Sequence, residues 1–144
     1  MPQSLSQLLV HIVFSTKNRV PYLRDETLRA ELYAYVAAVL NAHDSPAWLI
    51  GGMGDHVHIL CALSQSQTLS NVVGETKRNS SRWLKTKGIP DFYWQRGYGA
   101  FSVSFSNAPR VKEYINEQPK RHAHRTFQDE FRAFLKGHGL EYDE

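Results

Sequence analysis

His56 and His58 stand one residue apart in the run Gly54-Asp55-His56-Val57-His58-Ile59-Leu60-Cys61. Along an extended strand successive side chains alternate between faces, so the two imidazoles project from one side and Val57 from the other. Two imidazoles on an apolar strand make half of a metal site. They are also what the exposed, polar face of a half-buried strand would carry, and His-x-His alone is a short motif. A second copy, His122-Ala123-His124, sits in a basic run from Lys120 to Arg125 and reads as solvated or phosphate-facing.

A two-histidine site needs a further ligand. Gln118 offers an amide oxygen, and positions left open would take substrate oxygens. Tyr114 lies four residues before Gln118, on the same face of a helix. A tyrosine is a weak nucleophile at its free pKa of about 10. A divalent ion that polarises a phosphate and orients the attacking oxygen would relieve that weakness. The product would be a phosphotyrosine ester, which conserves the bond energy for rejoining a strand. Spacing alone leaves the simpler reading open, that Tyr114 and Gln118 merely share a helical face.

The elements that must position these residues can be read in order. Ser6 to Ser15 is rich in Leu, Val, Ile and Phe, and its alternation predicts a central strand, followed by the basic loop Thr16-Lys17-Asn18-Arg19 and a break at Pro21. Lys17 and Arg19 there suit phosphate or an ordinary solvated loop. Asp25 can cap a helix to Ala42, with Leu28, Leu32, Tyr35, Val36, Val39 and Leu40 at helical spacing and Tyr33 and Tyr35 as packing residues. Ala47–Met53 predicts a strand joined by a short glycine-containing turn to the histidine strand, an antiparallel hairpin. Ser66 to Lys87 predicts a helix, capped by Thr68 or Ser70, with Lys77, Arg78 and Arg82 among the basic residues off its apolar face. Solubility explains such charges, and so does a nucleic-acid backbone.

Gly88-Ile89-Pro90 ends that helix. Phe92, Tyr93, Trp94, Arg96 and Tyr98 then interleave aromatic and basic character, which suits stacking on unpaired bases or a buried aromatic lid. Phe101–Phe105 alternates as a fourth strand. Ser106 or Asn107 caps a helix with Pro109 in its first turn, ended by Pro119, and Thr126 to Lys136 predicts a last amphipathic helix with Phe127, Phe131, Phe134 and Leu135 inward. The order is that of an α+β, ferredoxin-like β-α-β-β-α-β domain: an antiparallel sheet with helices on one face, and C-terminal helices from about residue 107 that carry the tyrosine. The other sheet face is expected to be free for a ligand, a partner or single-stranded nucleic acid.

With 144 residues, 42% hydrophobic and 22% charged, the chain suits one globular domain over 1–144. The net charge of +3 is compatible with a nucleic-acid partner. One cysteine, Cys61, excludes an intrachain disulfide, points to a reducing compartment and reads as a small core residue. No run approaches a membrane span and the N-terminus lacks signal-peptide character, so a soluble cytoplasmic protein is expected.

Four segments together carry a resemblance: His11-Ile12-Val13-Phe14-Ser15-Thr16-Lys17-Asn18-Arg19; Gly54-Asp55-His56-Val57-His58-Ile59-Leu60; Trp94-Gln95-Arg96-Gly97-Tyr98-Gly99-Ala100-Phe101-Ser102-Val103-Ser104; and Tyr114-Ile115-Asn116-Glu117-Gln118. In order and spacing the chain resembles the HUH-type single-tyrosine transposases of the insertion-sequence two-hundred-like group, relatives of the REP-associated tyrosine transposases. The resemblance implies His56, His58 and Gln118 as metal ligands and Tyr114 as nucleophile. It implies nicking and rejoining of single-stranded DNA at hairpin-bearing element ends through a 5′-phosphotyrosine intermediate, with Mg²⁺ or Mn²⁺. It further implies a homodimer, in which the tyrosine helix of one subunit can complete the site of the other, joined near the strand at Phe101–Phe105 or at Ser6–Ser15. Two imidazoles favour a later transition ion than Mg²⁺, which makes Mn²⁺ the ion to test first. A short C-terminal tail beyond Glu144 is expected from the same family. Candidate DNA contacts are Lys17, Arg19, Lys77, Arg78, Arg82, Arg96, Tyr98, Lys120 and Arg121. Two other readings use the same features: a domesticated relative that nicks hairpins, and a non-enzymatic module that binds single-stranded nucleic acid.

Overall fold

Along β1 (Leu8–Ser15), Val10, Ile12 and Phe14 face one side and Leu9, His11 and Val13 the other, and both sides are covered. The computed structural model describes residues 5–121 together with 129, 130, 132, 133 and 136. After β1 come α1 (Glu26–Ala42), β2 (Ala47–Met53), β3 (His56–Leu63), α2 (Leu69–Thr86), β4 (Gly99–Val103), α3 (Ala108–Asn116) and the short α4 (Gln118–Arg121). The four strands pair antiparallel in the order β2-β3-β1-β4. That order and the β-α-β-β-α-β succession are those of the expected ferredoxin-like α+β fold.

The larger core lies between the sheet and the helices α1 and α2. Leu32, Val36 and Leu40 from α1 and Val72, Val73 and Leu84 from α2 meet Ile12, Phe14, Val57, Ile59 and Cys61. Asp25 caps α1 by accepting from the Thr27 and Leu28 amides, and Thr68 caps α2 by accepting from Asn71, so Thr68 rather than Ser70 starts that helix. Cys61 is fully buried inside β3, and burial pushes its thiol up to about 12, the state of an inert core residue.

Several expectations change. The opposite sheet face is not left free: α3 packs across it, with Ile115 and Ala108 against Leu9 and Leu60. His56 and His58 are therefore buried, not polar residues on an exposed strand face. The fourth strand ends at Val103, because Phe105–Asn107 turns as a 3₁₀ helix. Asn107 precedes α3 without a side-chain capping bond, and Pro109 takes the first turn. Helix α3 ends at Asn116, and Pro119 lies inside the first turn of α4, where its missing N–H costs nothing. β1 is paired on both sides, so of the two strands expected at a dimer seam only β4 lies at a sheet edge among the described residues. The aromatic segment divides: Phe92 is wholly buried and Trp94 packs on the core, whereas Tyr93 and Tyr98 are exposed. Among the described residues no helix is long and apolar enough to cross a membrane. His122, His124 and the inward aromatics of the last expected helix lie outside the described residues.

Candidate active site

Register explains why the histidines share a floor. His58 pairs with Val13 of β1 and Gly51 of β2, and His56 with Ser15 and Met53. Directly opposed residues of antiparallel strands point to one face, so His56, His58, His11 and Gly51 all lie beneath α3. The tight Gly54-Asp55 turn before β3 is held from outside: the Thr16 and Leu23 amides donate to the carbonyls of Asp55 and Gly54 at 2.8 Å each.

Gly51 lets α3 descend. A Cβ built there would lie 2.7 Å from Ile115 Cγ2 and 3.1 Å from the Ile115 carbonyl oxygen. The first contact can move with a rotamer and the second is backbone. Gly51→Ala is therefore expected to cost about 1–3 kcal/mol in denaturant unfolding and to shift the ring resonances of His58 and Tyr114 as the helix lifts. Unchanged stability and resonances would show that α3 does not depend on this close approach.

Seated in this way, α3 and α4 bring the four sequence-predicted site residues together within one chain. The Tyr114 ring stands 5.5 Å from the His58 ring, edge to face at 84°. His56 and His58 are 5.0 Å apart, centroid to centroid. Gln118, fully buried, places Oε1 2.9 Å from His56 Nε2, while its Nε2 donates to Glu130 Oε1 at 3.0 Å. The same amide nitrogen lies 3.4 Å from the Tyr114 carbonyl oxygen. Asp55 Oδ1 lies 2.8 Å from His56 Nδ1.

The donor set can be tested for a cation. His56 has an oxygen within hydrogen-bond distance of each ring nitrogen. A neutral imidazole carries a single N–H and donates to one of them. With that proton toward Asp55, Nε2 and Gln118 Oε1 are two lone-pair donors side by side, a pair that a cation could bridge. Two neighbouring ligands of an octahedral ion at about 2.1 Å each are separated by about 3.0 Å, and the observed separation is 2.9 Å. Among the described residues no group of three or more His, Cys, Asp or Glu is gathered for a metal, and the Gln118 amide is the further oxygen that stands beside the histidine pair. The residues present fit a hard or borderline divalent ion with open positions.

Three buried or part-buried partners went unread in the sequence: His11, Asp55 and Glu130. His11 Nε2 lies 3.0 Å from His58 Nδ1, and the two rings stack at 5.2 Å. Its alternation opposite Val10, Ile12 and Phe14 was the available signal. Asp55 directly precedes the histidine pair. Glu130 falls on the expected last helix, where nothing local marks it.

The candidate DNA contacts do not form one cluster. Lys17 and Lys85 set their ammonium groups over the exposed Tyr93 ring at 5.7 and 4.4 Å. Arg19 is half-buried beside Lys17. Lys77 donates to the Gln95 and Gly97 carbonyls at 2.7 and 2.9 Å, and burial lowers its ammonium pKa. It thus braces the loop that exposes Arg96 and Tyr98. Arg78 is exposed and pairs with Glu75, and Arg82 is exposed on the same helix. Lys120 is exposed on α4, at the other side of the sheet from α2, with Arg121 next to it in sequence.

Residues 4–118 match the family model described as "Transposase IS200 like". Among solved structures, one of a transposase from Deinococcus radiodurans R1 is similar over 80% of this chain and 93% of that one, at 21% identity and a TM-score of 0.64. A REP-associated tyrosine transposase bound to a REP hairpin is similar over 83% of this chain and 71% of that one, at 16% identity and a TM-score of 0.64. At these identities the likeness is one of fold. No curated protein matches the chain.

Proposed function

Since the chain belongs to the IS200-like transposase family, we propose that it cuts and rejoins single-stranded DNA through a covalent bond to Tyr114. The carrying observation is the convergence of the Tyr114 ring on α3 and the Gln118 amide on α4 with both histidines of β3. In this reading the Tyr114 hydroxyl oxygen attacks a backbone phosphorus. The P–O3′ bond breaks, the tyrosine proton is balanced by protonation of the departing 3′ oxygen, and the 5′ phosphate stays on the tyrosine. A 3′-OH attacking that ester reverses the step and restores the phenol, so strands are exchanged without net hydrolysis.

His56, His58 and Gln118 would hold Mg²⁺ or Mn²⁺. When bound, the ion supplies Lewis-acid polarisation of the phosphate and neutralises developing charge. Helix α3 supplies the position of the nucleophile, and its contact with β2 and β3 limits water beside Tyr114. The exposed lysines and arginines, with Tyr98, provide diffuse contacts to the phosphate backbone and unpaired bases. A second copy meeting along the β4 edge, or exchanging tyrosine helices, remains part of the proposal for the assembled enzyme. Cytoplasmic residence belongs to it as well.

The direct test uses single-stranded DNA with a hairpin, the form of DNA bound by the REP-associated neighbour. With Mn²⁺ present, a denaturation-resistant protein–DNA adduct is expected, and peptide mapping should find the nucleotide on Tyr114. Hairpin binding without any adduct, over a range of ends including the element's own, would leave a nucleic-acid-binding module in its place.

A further inference from the structure

We infer that His11 is a positioning residue: it accepts a hydrogen bond from His58 Nδ1–H and so holds the His58 ring with Nε2 available to the proposed metal. The inference rests on the metal reading above and extends it outward by one residue. His11 is buried to 1% exposure in the centre of β1, a costly place for an imidazole unless it is hydrogen-bonded. The short contact runs from His11 Nε2 to His58 Nδ1, at 3.0 Å. Only one proton can occupy that line. For His58 Nε2 to carry a lone pair on a neutral ring, the proton has to sit on Nδ1, and His11 Nε2 has to be the acceptor. His11 in turn carries its proton on Nδ1.

Geometry makes the arrangement stiff. His11 and His58 are diagonal neighbours across the β1–β3 ladder, since His11 pairs with Leu60 and Val13 with His58. Their rings stack at 5.2 Å with 26° between planes, and the Tyr114 edge closes on both, 6.0 Å from His11 and 5.5 Å from His58. Phe101 flanks His11 on the side away from β3. The pattern then repeats at each proposed ligand: Asp55 on His56, His11 on His58 and Glu130 on Gln118. Outer partners of this kind set tautomer and ring direction, and their loss commonly weakens metal binding 10- to 100-fold.

Two variants separate acceptance from shape. His11→Phe keeps a ring and removes the acceptor, and His11→Gln removes the ring and offers an amide oxygen. In the metal-free protein, ¹⁵N–¹H correlation of the imidazoles should find His58 protonated at Nδ1 in wild type and in H11Q, and shifted toward Nε2 in H11F. Mn²⁺ titration by calorimetry should show affinity reduced about 10- to 100-fold in H11F and largely restored in H11Q. His11→Leu replaces H11F if thermal unfolding shows that variant to be unfolded. A His58 ring protonated at Nε2 in wild type, or equal Mn²⁺ affinity in H11F and wild type, overturns the inference. Equal weakening in both variants overturns it too, since packing would then be the cause. Wild-type protein that keeps the Nδ1 tautomer and binds no Mn²⁺ overturns the metal reading instead.

Discussion

Tyr114→Phe is expected to eliminate the protein–DNA adduct and to lower strand cleavage by a factor on the order of 10⁴, the scale on which loss of a covalent nucleophile is felt. The substitution is a narrow one. Phenylalanine keeps the ring that meets His58 edge to face at 84° and His11 at 74°. It keeps α3 seated through Ile115. Only the hydroxyl is lost, so folding and hairpin affinity should stay within about twofold of wild type, a difference of about 0.4 kcal/mol. Adduct formation by the Phe variant, mapped to another residue, would remove Tyr114 from the chemistry. Equal binding by both proteins, with neither ever linked to DNA, would remove the enzyme reading.

Replacing His56 and His58 together by alanine is expected to abolish cleavage at any Mn²⁺ concentration while hairpin binding survives. The cations are exposed at the surface and the imidazole pair is buried, which is why the two activities should separate. Both rings are buried, so the double variant will be less stable and its fold has to be checked at the assay temperature. Chelation is the companion experiment: EDTA should stop the wild-type reaction, and Mn²⁺ should restore it. Cleavage that persists in the double variant would show that the metal assignment is wrong. Cleavage that resists EDTA but fails in the double variant would show that the imidazoles act without an ion.

The two predictions rest on features of unequal visibility. Alternation within Gly54–Cys61 was enough to put both imidazoles on one face, because the strand period of two is a local property. Asp25 was legible as a cap, and the cap of α2 was narrowed to Thr68 or Ser70, since a side-chain acceptor before an apolar periodic run has a local meaning. The side of the sheet taken by α3 was not legible. An amphipathic helix announces that it buries a face and says nothing of which surface receives it. Gly51 was its one trace, and it became readable only when the register put it beside His58 and the helix brought Ile115 over it.

His11 shows the same limit from another direction. Its own strand predicted that it points away from Val10, Ile12 and Phe14. Its partner is 47 residues distant, chosen by strand pairing that no local pattern encodes. The end of α3 was misread because Pro119 is a conspicuous breaker, yet proline is tolerated in a first turn and the chain had already turned at Glu117. A new turn starts at Gln118, the residue whose amide meets His56.

The alternation of β3 has a consequence for how such a protein can change over generations. Val57, Ile59 and Cys61 belong to the packing that makes the domain fold, and His56, His58 and Leu60 to the layer beneath α3. Each set can drift by substitution with little reference to the other, so specificity and stability are separately adjustable on one strand. Gain or loss of a single residue within it is another matter. Such an event exchanges the two sets at a stroke, turning imidazoles into the core and aliphatic side chains toward the site. Descendants of this chain should therefore tolerate conservative replacement of the aliphatic residues of β3 more readily than any change in its length.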